Sequence, residues 1–147
     1  MSNINVFTYF EADDANIERQ LHELTENYDN LSPAQVFEKA VGIFDAIKAH
    51  FNKQEDLLFA EIRHVEKVRS AIEVCLADRK KVLDDIDNSL NLHVDEPGFN
   101  ESVRRVLKDI ERHVELSEKQ LYAEIRNHVP AEAIERINKK LEMLTLS

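Results

Sequence analysis

Residues that interrupt helices are scarce in this sequence of 147 residues. It contains two glycines, three prolines and no tryptophan, and long stretches carry neither glycine nor proline. Sandwiches and α/β sheets need frequent turns, so this scarcity favours an all-α protein. The single cysteine, Cys75, excludes an internal disulfide and favours a reducing compartment. No CxxCH motif occurs, which excludes the usual covalent attachment of haem.

The sequence also lacks the segments that direct a chain into or across a membrane. No apolar run reaches about 18 residues, and the N-terminal region has no basic stretch followed by an apolar one. The net charge of −10 disfavours binding to nucleic acid phosphates and to anionic membranes. We therefore expect a cytoplasmic protein with a single domain over residues 1–147, and neither nucleic acid nor membrane as a partner.

Apolar residues recur at helical spacing in four long segments and one short one. An aromatic lead-in, Asn3–Phe10, is expected to pack across the end or side of the helices. The loop before the fourth long helix is predicted at His93–Asn100. Short connections between the first three helices predict an up-down-up-down antiparallel four-helix bundle with a short C-terminal fifth helix. The predicted helices are A, Ala12–Tyr28; B, from Pro33 to about Arg63; C, from a turn at His64–Glu66 to about Leu92; D, Glu101–His128; and the fifth, Ala131–Leu146.

One segment occurs twice and carries the candidate site. HFNKQEDLLFAEIR at His50–Arg63 and HVELSEKQLYAEIR at His113–Arg126 are related by a shift of 63 residues without a gap. Each copy has a histidine followed five residues later by a glutamate, which is Glu55 or Glu118. Histidine and carboxylate side chains on facing helices are how bundles build metal sites in their cores. On an ideal α-helix these two positions lie about 140° apart and straddle the inward direction.

Two further polar residues interrupt the apolar stripes of helices A and C. Asp14 lies close to the stripe of helix A, and Arg79 lies in the middle of the stripe of helix C. A shift of 65 residues aligns them with each other, and each precedes the histidine of its own half by 34 to 36 residues. We therefore expect both to meet the two histidines at one level of the bundle.

In these segments the chain resembles the hemerythrin-like, or HHE cation-binding, proteins, whose four-helix bundle holds non-haem iron. The resemblance covers roughly residues 5–125. The lead-in NVFTYFEADD is similar to that family's aromatic segment ending in Asp-His, and the two repeated segments are similar to its His-x-x-x-Glu-Glu signature. Several ligand positions are altered. Asp13-Asp14 replaces Asp-His, Gln54 replaces the bridging glutamate, and the histidine of helix C falls at or beside Arg79.

The resemblance implies an altered cation site of the non-haem iron type in the bundle core, for binding or sensing dioxygen, nitric oxide or iron. Two histidines with a carboxylate are a familiar Fe(II) ligand set. The sequence has no nucleophile–base motif, no phosphate-binding glycine loop and no dinucleotide fingerprint, so no catalytic residue is predicted and a binding protein is favoured over an enzyme. The predicted metal ligands are His50, Glu55, His113, Glu118 and Asp14.

Two alternatives stay open from the sequence. In the first, no metal binds, Arg79 pairs with Asp14 in a buried polar network, and the bundle acts through its surface on a protein partner or a second copy of itself. In the second, His50 and His113 hold a haem between diagonal helices, and Arg79 pairs with a propionate.

Overall fold

The computed structural model describes residues 5–94 and 96–146, and all regular secondary structure in these ranges is helical, without a strand. The predicted all-α class is therefore confirmed. No helix in the same ranges combines the length and apolar character that a membrane span requires. The helices are α1, Val6–Glu26; α2, Pro33–Lys53, continued by a π-helical turn at Gln54–Phe59 and by Ala60–Ile62; α3, Glu66–Leu90; α4, Pro97–His113, continued by a π-helical turn at Val114–Glu118 and by Lys119–His128; and α5, Ala131–Leu146.

The first helix begins earlier than predicted. The side-chain oxygen of Asn5 accepts hydrogen bonds from the backbone N–H groups of Phe7 and Thr8, at 2.9 and 3.1 Å, and so caps the helix. The predicted aromatic lead-in is therefore the start of α1, except for its first two residues, which lie outside the described ranges. Val6, Phe7 and Phe10 are buried, so these side chains belong to the core instead of crossing the end of the helices.

The starts of α2 and α4 show two kinds of helix signal. α2 begins at Pro33, as predicted. The Ser32 hydroxyl accepts from the Gln35 N–H group, and the Gln35 side chain accepts from the Ser32 N–H group, so the two residues cap this helix. α4 begins at Pro97, whereas Glu101 was predicted, so half of the predicted loop is helical. A proline fits the first helical turn because the missing N–H group has no partner there.

Two apolar clusters form the core, and a layer of polar side chains separates them. The first cluster contains Phe10, Phe59 and Tyr122, and the second contains Phe44 and Phe99. α1 and α3 pass from the first cluster into the second, whereas α2 and α4 pass from the second into the first. Each helix places polar residues where it crosses between the clusters. These residues are Asp14 on α1, His50 and Gln54 on α2, Asp78 and Arg79 on α3, and His113, Ser117 and Glu118 on α4.

The fifth helix closes the first cluster. Ile137 and Leu141 of α5 are buried there beside residues of the α2 π-helical turn, such as Leu58. The Asn138 side-chain oxygen accepts a hydrogen bond of 2.9 Å from the backbone N–H group of Val6. α5 therefore ties the start of α1 to the rest of the core, on the side of the polar layer where the first cluster lies.

Candidate metal centre

Three helices contribute to a buried group of metal-ligand side chains. Asp14 comes from α1, His50 from α2 and Glu118 from the π-helical turn of α4, and one ligand atom of each lies within 4.8 Å of the other two. Their exposed fractions are 5, 2 and 1%. His50 Nε2 lies 3.1 Å from Asp14 Oδ1 and 3.1 Å from Glu118 Oε1. The other Asp14 oxygen, Oδ2, is buried and has no hydrogen-bond partner among the described residues.

The second histidine meets the same glutamate. His113 Nε2 lies 3.3 Å from Glu118 Oε1, so both imidazole rings converge on one carboxylate oxygen. Each ring is also held from behind, because His50 Nδ1 donates to Asp13 and His113 Nδ1 donates to Asp78, both at 2.8 Å. Metal-binding histidines almost always donate their other N–H group to an oxygen acceptor of this kind. The two carboxylates therefore direct Nε2 of both rings toward the centre.

The π-helical turn of α4 explains how Glu118 enters the core. An ideal α-helix would place the residue five positions after His113 about 140° around the axis. The turn at Val114–Glu118 follows His113 directly, and hydrogen bonds from residue i to residue i+5 place the fifth residue about one turn further along the same side. Glu118 therefore faces the same interior as the histidine.

In the first copy of the repeat the π-helical turn begins later, so the glutamate five residues after the histidine does not face the core. It starts at Gln54, so α-helical spacing holds from the histidine up to that residue and directs Gln54 into the core, where it is fully buried. Glu55 lies about 100° further around the helix. Its side chain is 38% exposed and pairs with Arg63. Of the five predicted ligands, the structure leaves Glu55 apart and brings together Asp14, His50, His113 and Glu118.

Gln54 and Tyr122 complete the contacts of Glu118. Gln54 Nε2 lies 3.0 Å from Glu118 Oε1 and 2.7 Å from the Tyr122 hydroxyl, which donates to Glu118 Oε2 at 3.3 Å. Arg79 Nη2 donates instead to Gln54 Oε1 at 3.1 Å. Among the described residues, no ion pair joins Asp14 to Arg79, because Asp14 contacts His50 and Arg79 lies on the far side of the Gln54 amide. The pair on which the metal-free alternative was built is therefore not formed.

Burial and hydrogen bonding set the protonation of the centre. Burial, together with a hydrogen bond to Glu118, raises the pKa of Asp14 to about 11. Burial lowers the pKa of His50, but the hydrogen bonds to Asp13 and Glu118 outweigh it and raise that pKa to about 9. Burial likewise opposes charging of His113, yet contacts with Cys75 and Glu118 raise its pKa to about 10.

The same contacts act on Glu118 in the opposite direction. Burial raises its pKa, but hydrogen bonds from Asp14 and both histidines hold the pKa of Glu118 well below the usual range. At neutral pH in the absence of a cation, Glu118 is therefore ionised, Asp14 is neutral and both imidazoles are charged. Protons then occupy the side of each ligand that faces the centre, which is where a cation would bind.

A chain of ion pairs continues from His113 through Asp78 and Arg112 to the buried Asp109. Asp78 pairs with Arg112 at 2.9 Å, and Arg112 pairs with Asp109, also at 2.9 Å. Burial and a hydrogen bond to Asp85 raise the pKa of Asp109 to about 6. Oδ2 of Asp109 and Oδ2 of Asp85 are both buried and accept no hydrogen bond among the described residues. Above about pH 6 the chain of ion pairs therefore ends in two adjacent negative charges.

Replacing Asp85 by asparagine should stabilise the protein at pH 7.5, raising Tm by about 2–4 °C, because it removes one of two adjacent negative charges, a gain of about 1 kcal/mol. The raised pKa of Asp109 means that its contribution to stability is present at low pH and is lost as pH rises through about 6. The gain should therefore shrink or reverse at pH 5. Asp87→Asn, on the exposed face of α3, is the control in thermal unfolding at both pH values. An equal shift for both variants would contradict the assignment.

Sequence reasoning did not assign roles to Asp13, Asp78 and Tyr122. A signal for the two aspartates was present, because the shift of 65 residues that aligns Asp14 with Arg79 also aligns Asp13 with Asp78. Each aspartate precedes the histidine that it holds by a similar distance in sequence. Tyr122 occupies an aromatic position of the repeat, where Phe59 is its equivalent, and only the packing shows that its hydroxyl reaches Glu118.

The geometry does not favour a haem between the two histidines. A haem iron needs the two nitrogens on opposite faces of one porphyrin plane, whereas both Nε2 atoms here contact a single oxygen of Glu118. The Phe51 ring also packs against both imidazoles, with centroid distances of 5.9 Å to His50 and 5.3 Å to His113. A porphyrin would have to displace both groups, so a bare cation fits the described arrangement better.

Comparison with known proteins does not place the chain in a family. No protein-family model, no curated protein and no solved structure matches it. A function is therefore inferred from the geometry of the buried centre itself.

Proposed function

We propose that this chain is a hemerythrin-like bundle that binds one divalent cation of the iron type in its core. The observation that carries the proposal is the convergence of ligand atoms of Asp14, His50 and Glu118 from three helices within 4.8 Å of one another. With His113 beside Glu118, the centre offers two imidazole nitrogens and two carboxylates. Such a set of nitrogen and oxygen donors suits iron and related first-row metals.

Two further features of the centre fit a cation. Asp14 Oδ2 is buried and accepts no hydrogen bond from the described residues, so an ion bound beside Asp14 would take the place of its proton. Asp13 and Asp78 hold the histidines by their Nδ1 atoms, which leaves Nε2 of each ring as the metal-binding atom. The chain thus supplies both the ligands and the outer contacts that orient them.

The order of the helices across the polar layer supports an up-down-up-down antiparallel bundle. α1 and α3 cross the layer in one direction between the two apolar clusters, and α2 and α4 cross it in the other. Bundles of this topology build metal sites from side chains of facing helices. The repeated segments then lie in equivalent places on α2 and α4, which is the arrangement that the resemblance implies.

The residues around the centre favour one cation over two. Gln54 stands where the family has a bridging glutamate, and its amide nitrogen is directed at Glu118. Arg79 places a permanent positive charge behind that amide. A second cation on this side would face the N–H group of the Gln54 amide and be repelled by the positive charge of Arg79. The single cation, when bound, would supply open coordination positions for a small molecule such as dioxygen or nitric oxide.

Other side chains of this chain would hold the geometry and limit access of water. Phe10 and Phe51 pack edge-on against the His50 ring, and Phe51 also packs against the ring of His113. The Tyr122 hydroxyl fixes the outer oxygen of Glu118. Because the apolar clusters enclose the layer on both sides, charges within it interact more strongly than they would in water.

The Asp14→Asn variant tests the proposal with little change to the metal-free protein. Asp14 is neutral at pH 7, and asparagine has nearly the same shape, so the free energy of unfolding should change by no more than about 1 kcal/mol. Asparagine cannot supply an anionic ligand. We expect cation affinity to fall by more than about 100-fold, beyond the range typical of outer-shell partners. Titration with Co(II), followed by its visible spectrum, measures the affinity.

Asp45→Asn, at an exposed position of α2, is the matched control and should bind Co(II) like the unmodified chain. The metal-free alternative makes the opposite prediction. One observation favours it, namely that the centre is closed by hydrogen bonds even when only protons fill it. If the unmodified chain and Asp14→Asn bind Co(II) equally weakly, the protein is a metal-free bundle and the proposed cation site is wrong.

A further inference from the structure

Arg79 is a cation in the polar layer that forms no ion pair with a carboxylate of residues 5–94 or 96–146. Its guanidinium carbon lies 4.9 Å from the ring centre of Phe51 and 5.1 Å from that of Phe59, so two aromatic side chains hold the group in place. Nη2 donates to Gln54, while Nε is buried and has no hydrogen-bond partner within the described residues. In the same part of the chain no ion pair includes Arg79.

Neither neighbouring carboxylate forms an ion pair with Arg79 among the described residues. Asp78, the preceding residue, binds His113 and Arg112. Glu55 pairs with Arg63 through Oε1, while its Oε2 is buried without a hydrogen-bond partner in the described ranges. A charged group that leaves water without a partner costs free energy, and a guanidinium with unused donors matches a planar oxyanion in geometry. Arg79 is half-buried, so an ion from solvent has access to it.

We propose that Arg79 is the receptor for a small planar monoanion of the carboxylate type, bound next to the cation centre. This inference rests on the proposed function, because the Gln54 amide connects the guanidinium to Glu118 through hydrogen bonds of 3.1 and 3.0 Å. An anion held by Arg79 therefore lies on the Gln54 side of the centre. The anion would lie behind the Gln54 amide without touching the cation, and Arg79 would select it over a neutral molecule.

Formate is the probe, because it is the smallest carboxylate. Formate is titrated into the Co(II)-loaded protein, and binding is followed by the visible spectrum of the cobalt and by line broadening of ¹³C-formate. Loss of a charge-assisted hydrogen-bonding partner should weaken formate binding about 10- to 100-fold in Arg79→Gln. Arg79→Lys keeps the positive charge but loses the planar guanidinium, so its formate affinity should lie between that of the unmodified chain and that of Arg79→Gln. Arg69→Gln, which removes an exposed arginine of α3, is the control and should match the unmodified chain.

Circular dichroism and thermal unfolding establish that each variant is folded before titration. If cobalt binds but Arg79→Gln holds formate within twofold of the unmodified chain, the anion site is wrong and the cation site stands. If cobalt does not bind, the proposed function fails, and the ¹³C-formate titration of the metal-free protein decides the inference. Formate binding that is lost in Arg79→Gln supports it, and the absence of formate binding overturns it.

Discussion

Replacing Glu118 by glutamine is expected to abolish cation binding and to destabilise the metal-free protein. Within the described part of the chain, Glu118 is the one group that accepts hydrogen bonds from both histidines, and it is 1% exposed. Without its charge, two buried imidazolium groups lose their shared counter-ion. Removing one partner of a buried ion pair typically costs about 3–5 kcal/mol, which lowers Tm by roughly 10 °C in a chain of this size. Thermal unfolding and Co(II) titration measure the two effects.

Glu55→Gln is the matched control, because Glu55 occupies the position equivalent to Glu118 in the other copy of the repeat. It lies outside the buried group, and its Oε1 pairs with Arg63 at the surface, although its Oε2 is buried. An exposed ion pair contributes no more than about 1 kcal/mol, so Tm should shift by only a few degrees and Co(II) affinity by less than twofold. Equal effects of the two substitutions would mean that both glutamates act alike, contrary to the positions given by the two π-helical turns.

The second large effect is on the pH dependence of cation affinity. The cation must displace the protons of Asp14 and His50, whose pKa values of about 11 and 9 keep both groups protonated at neutral pH. Each displaced proton makes affinity change tenfold per pH unit, so two protons give about a 1000-fold rise in affinity between pH 6.5 and 8.0. The charged and titratable groups that face the centre are Asp13 and Asp14 on α1, His50 on α2, Cys75, Asp78 and Arg79 on α3, and His113, Glu118 and Tyr122 on α4.

Calorimetry in buffers of different ionisation enthalpy counts these protons directly. Two protons per cation are expected if His113 continues to donate to Glu118, and three are expected if His113 also becomes a ligand. Release of fewer than one proton, together with an affinity that does not change with pH, would contradict the protonation described for the metal-free centre.

The free energy of unfolding of the metal-free protein should depend on pH through the same titratable groups. The folded pKa values of His50 and His113 lie above those of the unfolded chain, so their contribution is complete below pH 6.5 and is lost as pH rises through about 9 to 10. Protonation of Asp14 also stabilises the folded state, and this contribution is lost as pH rises toward about 11. The depressed pKa of Glu118 contributes stability that is lost only in acid, outside this window.

Much of the fold could be predicted because apolar spacing and helix-start signals are local. The start of α2 was predicted at Pro33, and the apolar stripes gave the five long helices of the described ranges. The start of α1 was missed because a row of aromatic residues does not show by itself whether it packs as a helix or as an extended strap. Asn5 as a cap and burial of Phe10 decide that question, and burial is a property of the fold.

The candidate site could be predicted only in part. The repeat and the apolar stripe of α1 indicated Asp14, His50, His113 and Glu118, and these residues do meet. Glu55 was grouped with them because both copies have the same histidine-to-glutamate spacing. Glu118 faces the core and Glu55 does not, because the two π-helical turns begin at different distances after their histidines. Neither turn contains a proline or glycine that would mark it in the sequence.

The position of Arg79 shows a second limit of sequence reasoning. Its helical phase correctly directs it toward the interior, where the metal-free alternative paired it with Asp14. Helical phase gives a direction but not a partner across the core. The rings of Phe51 and Phe59 and the amide of Gln54 hold the guanidinium away from Asp14. The role of Arg79 toward an anion is therefore a proposal from packing alone.

The most direct test of the central claim is the metal content of the protein itself. The chain is purified without chelators, incubated anaerobically with Fe(II) at pH 8, freed of unbound metal by gel filtration and measured by mass spectrometry of the elements. A centre formed by Asp14, His50 and Glu118 predicts one bound iron per chain, and its loss in Asp14→Asn. Less than roughly a tenth of an equivalent in the unmodified chain, far below the near-complete occupancy that a dedicated buried site reaches, would contradict the account.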